Sequence, residues 1–250
     1  MNEPWNIKKD DERTADTLPT FIIFCEDEVS EPIYFKFFET DKIKVNPIKK
    51  QKSNIANVLN AIEHCKEGNL IEKSDDGLKL CDSNTIVWCV FDRDSIEQGV
   101  QESSNNTSFD VAIYTAQNCG INVAWSNDSF ELWILMHFEE IDANDKNYQK
   151  RETYYSQLTK IFKNHKEPNE YLKKALSHDS FSYKKDLKSE RNFRNIVRAE
   201  IVTKTNLAIE RAHKLETNFN NLELYDHEKS PCTHVHYLVQ QLLNYGGKKI

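Results

Sequence analysis

Two apolar runs in this chain each stop abruptly at acidic residues. The run Thr85–Phe91 ends at Asp92 and Asp94, which are separated by one arginine, and the run Phe21–Cys25 ends at Glu26. Runs rich in β-branched and aromatic residues are typical of buried strands, and ligands bind at the carboxyl ends of strands in an open α/β sheet. If the two strands are parallel neighbours, we expect these three carboxylates to lie close together.

Carboxylates in such proximity repel one another, and each pKa is raised unless a cation lies among them. Carboxylate oxygens are the ligands that Mg²⁺ and Mn²⁺ prefer. The sequence therefore indicates one ion, or two ions about 3.5–4 Å apart, a spacing that serves phosphodiester hydrolysis. The alternative interpretation is that Asp92 caps the next helix and that Arg93 and Asp94 form a solvated turn.

A fourth carboxylate follows the next predicted strand, 121–125. That strand ends in a Ser-Asn-Asp cluster, a strong helix-start signal, and large apolar residues fill the helix that follows. Glu131 lies one turn into this helix and is either a capping-box partner or a further ligand of the acidic centre. His137, six residues later, points away from Glu131 and is interpreted as structural.

The elements that position these residues alternate between strands and helices through residue 138, which predicts an α/β fold with a mainly parallel sheet. From about residue 145 the pattern is entirely helical. The predicted divisions are an N-terminal arm at 1–19, a core at 20–140 and a helical C-terminal region at 141–250. The other predicted elements are a helix near 32–40, a strand at 43–48, a helix from Ser53, a charged surface loop at 66–84, a polar stretch at 101–108 and a helix near 109–118.

The helical region carries the predicted positive surface. Five basic residues step by four, three, three and four positions, which places them in one stripe on a helix: Lys184, Lys188, Arg191, Arg194 and Arg198. On a chain of net charge -7, such a stripe is suited to following a phosphate backbone. The alternative is a solvated helix face balanced by Asp186, Glu190 and Glu200.

Composition and motif content exclude several classes of protein. With a net charge of -7, the molecule as a whole does not favour non-specific nucleic-acid binding. No apolar stretch approaches the roughly 20 residues of a membrane span, and the first residues lack the apolar core of a secretory signal, so we expect a cytoplasmic protein. The chain has no GxxxxGK[ST] motif, which excludes a P-loop ATPase.

The cysteines and histidines give weaker signals. The six cysteines show no CxxC spacing and are expected to be reduced. His234 and His236 can face one side of an extended segment and bind zinc, but no second ligand pair has matching spacing, so zinc is not favoured.

The order of the acidic motifs resembles the RloB-like family over roughly residues 20 to 245. The residues that carry the resemblance are Cys25-Glu26-Asp27-Glu28 with Glu31-Pro32-Ile33-Tyr34-Phe35, Val90-Phe91-Asp92-Arg93-Asp94, Ser126-Asn127 with Phe130-Glu131-Leu132-Trp133 and His137-Phe138, and Ser230-Pro231-Cys232-Thr233-His234-Val235-His236-Tyr237-Leu238-Val239. RloB-like proteins are bacterial, are associated with phage-defence and restriction loci, and are similar to the Toprim fold of topoisomerases, primases and OLD-type nucleases.

That resemblance implies a Toprim-like, mainly parallel sheet flanked by helices, with a C-terminal helical extension. It also implies Mg²⁺- or Mn²⁺-dependent hydrolysis of RNA, including tRNA, or of DNA. By position, Glu26 corresponds to the Toprim glutamate and Asp92 with Asp94 to its DxD pair. Glu131 corresponds to a later acidic position of OLD-like nucleases, and Lys184 to their lysine.

The resemblance further implies an effector of antiviral defence that works with a separate AAA- or ABC-type ATPase subunit, and a homodimer is compatible with it. A catalytically inactive binding subunit is the competing hypothesis, and a phosphatase or nucleotidyltransferase is a third. Related families usually carry glycine directly after the first glutamate, where this chain has Asp27. Either the turn is altered or Asp27 adds a ligand.

Overall fold

The computed structural model describes residues 18–74, 77–94, 100–220 and 222–248. The predicted N-terminal arm falls outside these residues except for positions 18 and 19. Among the residues that the structure describes, no helix combines the length and the apolar character that crossing a bilayer requires.

The fold is α/β, and in chain order its strands are β1 (Thr20–Cys25), β2 (Lys44–Ile48), β3 (Ile71–Ser74), β4 (Gly77–Leu80), β5 (Thr85–Asp92), β6 (Asn122–Asn127) and β7 (Cys232–Thr233). Five of them form a central sheet in the order β2-β1-β5-β6-β7, and β3 and β4 form a separate hairpin. The first four strands of the central sheet run parallel to one another, and β7 is antiparallel to β6. The mainly parallel sheet that the sequence predicts is therefore confirmed.

Helices flank this sheet and fill most of the C-terminal half. They are α1 (Ser30–Lys36), α2 (Asn54–Glu67), α3 (Val100–Asn118), α4 (Phe130–Met136), α5 (Arg151–Lys163), α6 (Glu170–Leu176), α7 (Glu190–Asn192), α8 (Arg198–Ile201), α9 (Thr205–Thr217) and α10 (Val235–Gly246). Two π-helical turns, Tyr183–Leu187 and Phe193–Val197, interrupt the stretch between α6 and α8.

Both faces of the sheet are buried, which explains the continuous apolar runs in its strands. On β1, Phe21 and Ile23 pack in a core with α1, α4, α5, α9 and α10, while Phe24 packs in a second core with α2 and α3. On β5, Trp88 belongs to the first core and Cys89 to the second. Successive side chains thus point to opposite layers.

Register brings the predicted acidic residues to one edge of the sheet. Cys25 lies opposite Val90 in the parallel pairing of β1 with β5, and Asp92 lies opposite Ser126 in the pairing of β5 with β6. Residues that follow β1, end β5 and follow β6 therefore meet at the same edge, as the sequence predicts.

The prediction of a charged loop at 66–84 is wrong, because this segment contains the β3-β4 hairpin. Ile71, Leu78 and Leu80 pack against the core of α2 and α3. The charged side chains of Glu72, Lys73 and Lys79 are exposed. Gly77 has a φ of 120°, which suits the turn between the two strands. The high charge of the segment conceals the alternation of a half-buried hairpin.

The helix predicted near 109–118 begins earlier, at Val100, and so includes the polar stretch at 101–108. Its asparagines bond to neighbouring elements. Asn105 accepts a hydrogen bond from Asn54 Nδ2 at 2.9 Å, and Asn106 Oδ1 accepts one from Arg93 Nε at 3.0 Å. Tertiary hydrogen bonds outweigh the weak helix propensity of these residues.

The end of the chain is not entirely helical, because β7 adds a strand to the sheet. His234 and His236 do not lie on an extended segment, since β7 ends at Thr233 and α10 begins at Val235. The two histidines therefore follow helical geometry rather than the alternation of a strand.

Asn57 on α2 is buried and joins the ends of the two strands that carry the acidic residues. Its amide donates to the carbonyl oxygens of Phe24, at 3.4 Å, and Val90, at 3.1 Å.

Asn57→Ala removes both bonds, and we expect it to lower the free energy of unfolding by about 1 kcal/mol relative to Asn60→Ala. Asn60 lies on the exposed side of the same helix, so both variants gain the same helix propensity. Urea denaturation measures the difference, and equal stabilities would contradict the bridging role.

Candidate functional site

Glu26 lies directly beyond β1, and two donors hold its carboxylate. Ser53 Oγ donates to Oε1 at 2.5 Å, and the backbone N–H of Asp92 donates to Oε2 at 3.1 Å. The N–H of Glu26 itself donates to the carbonyl oxygen of Val90 at 3.1 Å. The glutamate thus links the ends of β1 and β5 through both its backbone and its side chain.

Four carboxyl groups gather at this edge of the sheet, and we call them the acidic cluster: Glu26, Glu31, Asp92 and Glu131. Burial raises the pKa of Glu26, and the nearby Asp94 raises it further. Burial, together with Asp27 and Glu26, raises the pKa of Glu31 well above its usual range. Burial, together with the other three carboxylates of the cluster, does the same for the pKa of Asp92. Burial is the largest cause of each shift, and the repulsion between carboxylates that the sequence predicts adds to it.

Glu31 is the member of the cluster that sequence reasoning missed. It is 1% exposed, lies in the first turn of α1, and accepts a hydrogen bond from the N–H of Asp27 at 3.1 Å. Its proximity to Pro32 favours the interpretation of an ordinary helix start. The signal in the sequence is the apolar run 32–35 that directly follows this acid, and the structure buries every residue of that run.

Asp27, which stands where related families usually have glycine, caps the turn before α1. Its carboxylate accepts hydrogen bonds from the N–H groups of Glu28 and Ser30, both at 2.7 Å. Among the described non-glycine residues, positive φ angles occur at Lys50, Asn54 and Asn69 and not at Asp27, so the turn does not require glycine.

The charge of Asp27 is well accommodated in this turn. Burial alone would raise the pKa of this carboxyl, but Lys188 and the hydrogen bonds from Ser30 more than offset that effect and lower it.

Asp94 faces an arginine that the sequence does not single out. Arg151 Nη2 donates to Asp94 Oδ1 at 2.7 Å, and the same guanidinium contacts Asp128 at 2.6 Å from Nη2 and 3.2 Å from Nε. Asp128 is 2% exposed. Asp128, the last residue of the Ser-Asn-Asp cluster, therefore anchors the start of α5 through this ion pair, and the N-cap of α4 is Ser129. Because Arg151 lies in a different predicted region, no local pattern reveals the contact.

Glu131 is paired with a lysine from the helical region. Lys188 Nζ lies 2.7 Å from Glu131 Oε1, and the glutamate side chain is 3% exposed. No capping box forms, since Ser129 at the N-cap of α4 makes no side-chain capping bond. Burial alone would lower the pKa of Lys188, but Glu131 and Tyr155 raise it well above its usual range. Lys188 therefore supplies a permanent positive charge at the acidic cluster.

Lys184 does not contact the acidic cluster. It is exposed, and its Nζ lies 5.1 Å from the centroid of the Tyr155 ring. Lys188, one turn later, lies 5.7 Å from the same ring and also reaches Glu131. Of the two lysines, the structure thus brings Lys188 and not Lys184 into the site.

The five predicted basic residues do not form one stripe on a single helix. The helix is interrupted at Lys188 and Ser189, because Ser182 and Ser189 each cap a new helical turn. Beyond the interruption, Arg194 pairs with Glu190 at 2.8 Å, as the alternative interpretation of a balanced surface predicts. Arg191 lies over the Tyr171 ring and Arg198 over the Phe37 ring.

His137 is structural, in agreement with its interpretation from the sequence. Its Nδ1 lies 2.9 Å from the carbonyl oxygen of Trp133, and its Nε2 lies 3.2 Å from Tyr34 Oη. Burial lowers the pKa of the imidazole to about 3, so His137 is neutral inside the core.

The donor chemistry of the acidic cluster fits a hard divalent cation. Its donors are carboxylate oxygens, which such a cation prefers. In the described part of the chain, however, no three carboxylates of the acidic cluster have donor atoms all within 4.8 Å of one another, and neither do those of Glu26, Asp92 and Asp94. Asp94 is instead turned towards Arg151.

A protein-family model described as RloB-like protein matches residues 21–242, which includes every residue of the acidic cluster. No curated protein and no solved structure matches the chain at a significant level.

The raised pKa values predict how stability depends on pH. A carboxyl whose pKa is higher in the folded state than in the unfolded state stabilises the protein while protonated, and this contribution is lost as pH rises above its ordinary value of 4.5. With divalent ions chelated, we therefore expect Glu31→Gln to gain stability over the wild type progressively as pH rises above 4.5. Urea titrations at several pH values measure this. The exposed Glu28→Gln is the control, and a pH-independent difference for Glu31→Gln would contradict the prediction.

Because Lys188 pairs with Glu131 and Lys184 does not, we expect the two lysines to differ in their contribution to the free energy of unfolding. Lys188→Met leaves a buried carboxylate without its cation, and we expect a loss of about 2 kcal/mol in the free energy of unfolding. Lys184→Met alters only an exposed position and should change stability by less than about 0.5 kcal/mol. Chemical denaturation compares the two, and similar effects for both variants would show that the pair is not structurally important.

Proposed function

This chain belongs to the RloB-like protein family, and from that membership and its acidic cluster we propose that it is a Toprim-like, Mg²⁺- or Mn²⁺-dependent nuclease. In this proposal it is an effector of bacterial defence against phage and is controlled by a separate ATPase subunit. Its substrate is RNA, including tRNA, or DNA.

The observation that carries the proposal is the concentration of carboxyl groups at the ends of β1 and β5. Burial and mutual repulsion raise the pKa values of Glu26, Glu31 and Asp92 together. A divalent cation among them relieves this repulsion, and hard carboxylate oxygens are suitable ligands for it. Perturbed carboxyls gathered at a strand edge support a catalytic role over a purely structural one.

In this proposal Glu26 and Asp92 hold the metal, with Glu31 and Glu131 beside them and Asp94 released from Arg151. The ion, when bound, activates a water molecule and stabilises charge on the phosphate. Glu26 is fixed by Ser53 and by the N–H of Asp92. If the other carboxylates hold the ion, Glu26 instead acts as the general base, for which its raised pKa suits it.

Two cations flank the carboxylates and are suited to contact the phosphate. Arg151 presents a planar guanidinium, which can bind phosphate oxygens in a bidentate manner. Lys188 replaces Lys184 in the proposed role of neutralising the charge that develops during cleavage, because it contacts Glu131. Lys184, Arg191, Arg194 and Arg198 remain proposed contacts to the nucleic-acid backbone, although they form separate groups.

A catalytically inactive binding subunit is the second candidate, and two ion pairs favour it. Arg151 neutralises Asp94 at 2.7 Å, and Lys188 neutralises Glu131 at 2.7 Å. These pairs satisfy part of the acidic charge without a metal. The two candidates differ in whether Mg²⁺ stabilises the protein through Asp92.

The nuclease proposal predicts that Asp92→Asn abolishes cleavage. We expect a loss of at least about 100-fold in rate, because the variant removes a ligand of the ion that stabilises the transition state. The assay uses labelled total tRNA, single-stranded RNA and plasmid DNA with Mg²⁺ or Mn²⁺, for the chain alone and with its neighbouring ATPase. Glu28→Gln is the matched control, since Glu28 is an exposed acid paired with Lys50.

Two results would contradict the proposal that the chain is a nuclease. Cleavage that persists in Asp92→Asn at the wild-type rate would place the activity elsewhere or in a contaminant. Absence of cleavage, together with a wild-type melting temperature that Mg²⁺ and Mn²⁺ do not change, would favour the binding subunit.

A further inference from the structure

A second group of metal-ligand side chains lies outside the acidic cluster. His213 and Glu216 are three residues apart on α9 and so face the same side of that helix, and His236 lies in the first turn of α10. One donor atom from each lies within 4.8 Å of the other two, and among the described residues this is the one group of three or more that meets that distance. The rings of His213 and His236 are 4.3 Å apart between centroids.

His236 has the geometry of a metal-binding imidazole. It is fully buried, and its Nδ1 lies 2.9 Å from the carbonyl oxygen of Thr233, so the ring N–H donates to the backbone there. The lone pair of the His236 Nε2 atom is therefore available on the side of the ring that faces Glu216. Nε2 has no hydrogen-bond partner, although Glu216 Oε2 is 3.3 Å away. A histidine whose second nitrogen donates to a backbone carbonyl is the usual arrangement at metal centres.

Glu216 is held in place from its other side. Tyr237 Oη donates to its carboxylate, at 2.9 Å from Oε2 and 3.1 Å from Oε1. His234 Nε2 lies 3.1 Å from Oε1, while the His234 ring packs on Trp125 at 4.1 Å between centroids. The carboxylate is therefore oriented by neighbours before any ligand arrives. Such support fixes the donors of a metal site.

We propose that His213, Glu216 and His236 bind one Zn²⁺ ion. Two imidazole nitrogens and one carboxylate oxygen form a donor set that suits Zn²⁺, whereas Mg²⁺ prefers oxygen donors alone. The sequence disfavours zinc at His234 and His236 because no second ligand pair has matching spacing. The tertiary structure supplies that pair from α9, and of the two histidines it assigns the ligand role to His236 and a supporting role to His234.

The ion joins α9 to the segment that completes the sheet. His236 follows β7, and β7 pairs with β6 through Thr233 opposite Ser126 and Cys232 opposite Asn127. Those residues lie at the end of β6 that leads to Asp128 and α4. A zinc ion here cross-links the helical region to the strand end that borders the acidic cluster, and this link does not depend on the proposed nuclease activity. With three protein ligands, the fourth tetrahedral position is left to a water molecule.

The first test is the zinc content of the tag-free full chain, measured by mass spectrometry of the metal. We expect roughly one zinc per wild-type chain. The content should fall at least about tenfold in His213→Ala and in Glu216→Gln, because each removes one of three ligands. Both residues are partly exposed, so these variants spare the fully buried His236. Circular dichroism checks that they are folded.

Two matched variants separate this site from other sources of zinc. His178→Ala removes an exposed histidine outside the group, and Asp92→Asn alters the acidic cluster, and both should retain zinc at the wild-type level. At a constant excess of Mg²⁺, a zinc-selective chelator should lower the melting temperature of the wild type by several degrees and leave that of His213→Ala unchanged, because only the wild type loses a bound zinc ion.

Two outcomes would overturn the proposal. One is zinc that remains at the wild-type level in folded His213→Ala and Glu216→Gln. The other is a wild-type chain that neither contains zinc nor is stabilised when Zn²⁺ is added, which would make the group a hydrogen-bonded network of histidines around Glu216.

Discussion

The parallel pairing of β1 with β5 is the constraint on which the candidate site depends. It brings the residue after β1 beside the last residue of β5, and the Glu26 carboxylate then accepts the N–H of Asp92 at 3.1 Å. Asn57 supports the same junction from α2 by bonding to the carbonyl oxygens of both strands. The apolar strands are buried on both faces, so the acidic side chains can gather only where the strands end.

Acidic side chains that lie this close repel one another, and two basic side chains reduce that repulsion. Arg151 enters from the start of α5 and Lys188 from the turn before α7, and each forms an ion pair at 2.7 Å with an acid at this edge. Both cations come from the helical half of the chain. The acidic edge of the sheet and the helical region are thus joined by charge as well as by a shared apolar core.

The two candidate metal centres differ in the chemistry of their donors. The acidic cluster offers carboxylate oxygens at a strand edge, which suit a hard, exchangeable cation that takes part in a reaction. The group of His213, Glu216 and His236 offers imidazole nitrogens that backbone and side-chain hydrogen bonds hold in place, which suits a resident ion. In the two proposals, the reactive edge and the zinc link are formed by different sets of residues.

The sequence by itself determined the α/β class, the strands that carry the acids and three residues of the edge: Glu26, Asp92 and Asp94. These follow from local patterns, because a buried parallel strand is a continuous apolar run and its end is marked by charge. The hairpin at 71–80 and the polar first turns of α3 escaped prediction, since side-chain contacts with other elements outweigh their local propensity.

Only the tertiary structure decided which residues share the site. Glu31 resembles a helix-start residue in the sequence, and Arg151 and Lys188 resemble ordinary surface cations. The ion pairs of Arg151 with Asp94 and of Lys188 with Glu131 each join residues that are 57 positions apart. Glu216 and His236 likewise lie on two different helices, α9 and α10. Local sequence encodes which segments form strands and helices, whereas ion pairs and ligand sets depend on how those segments pack.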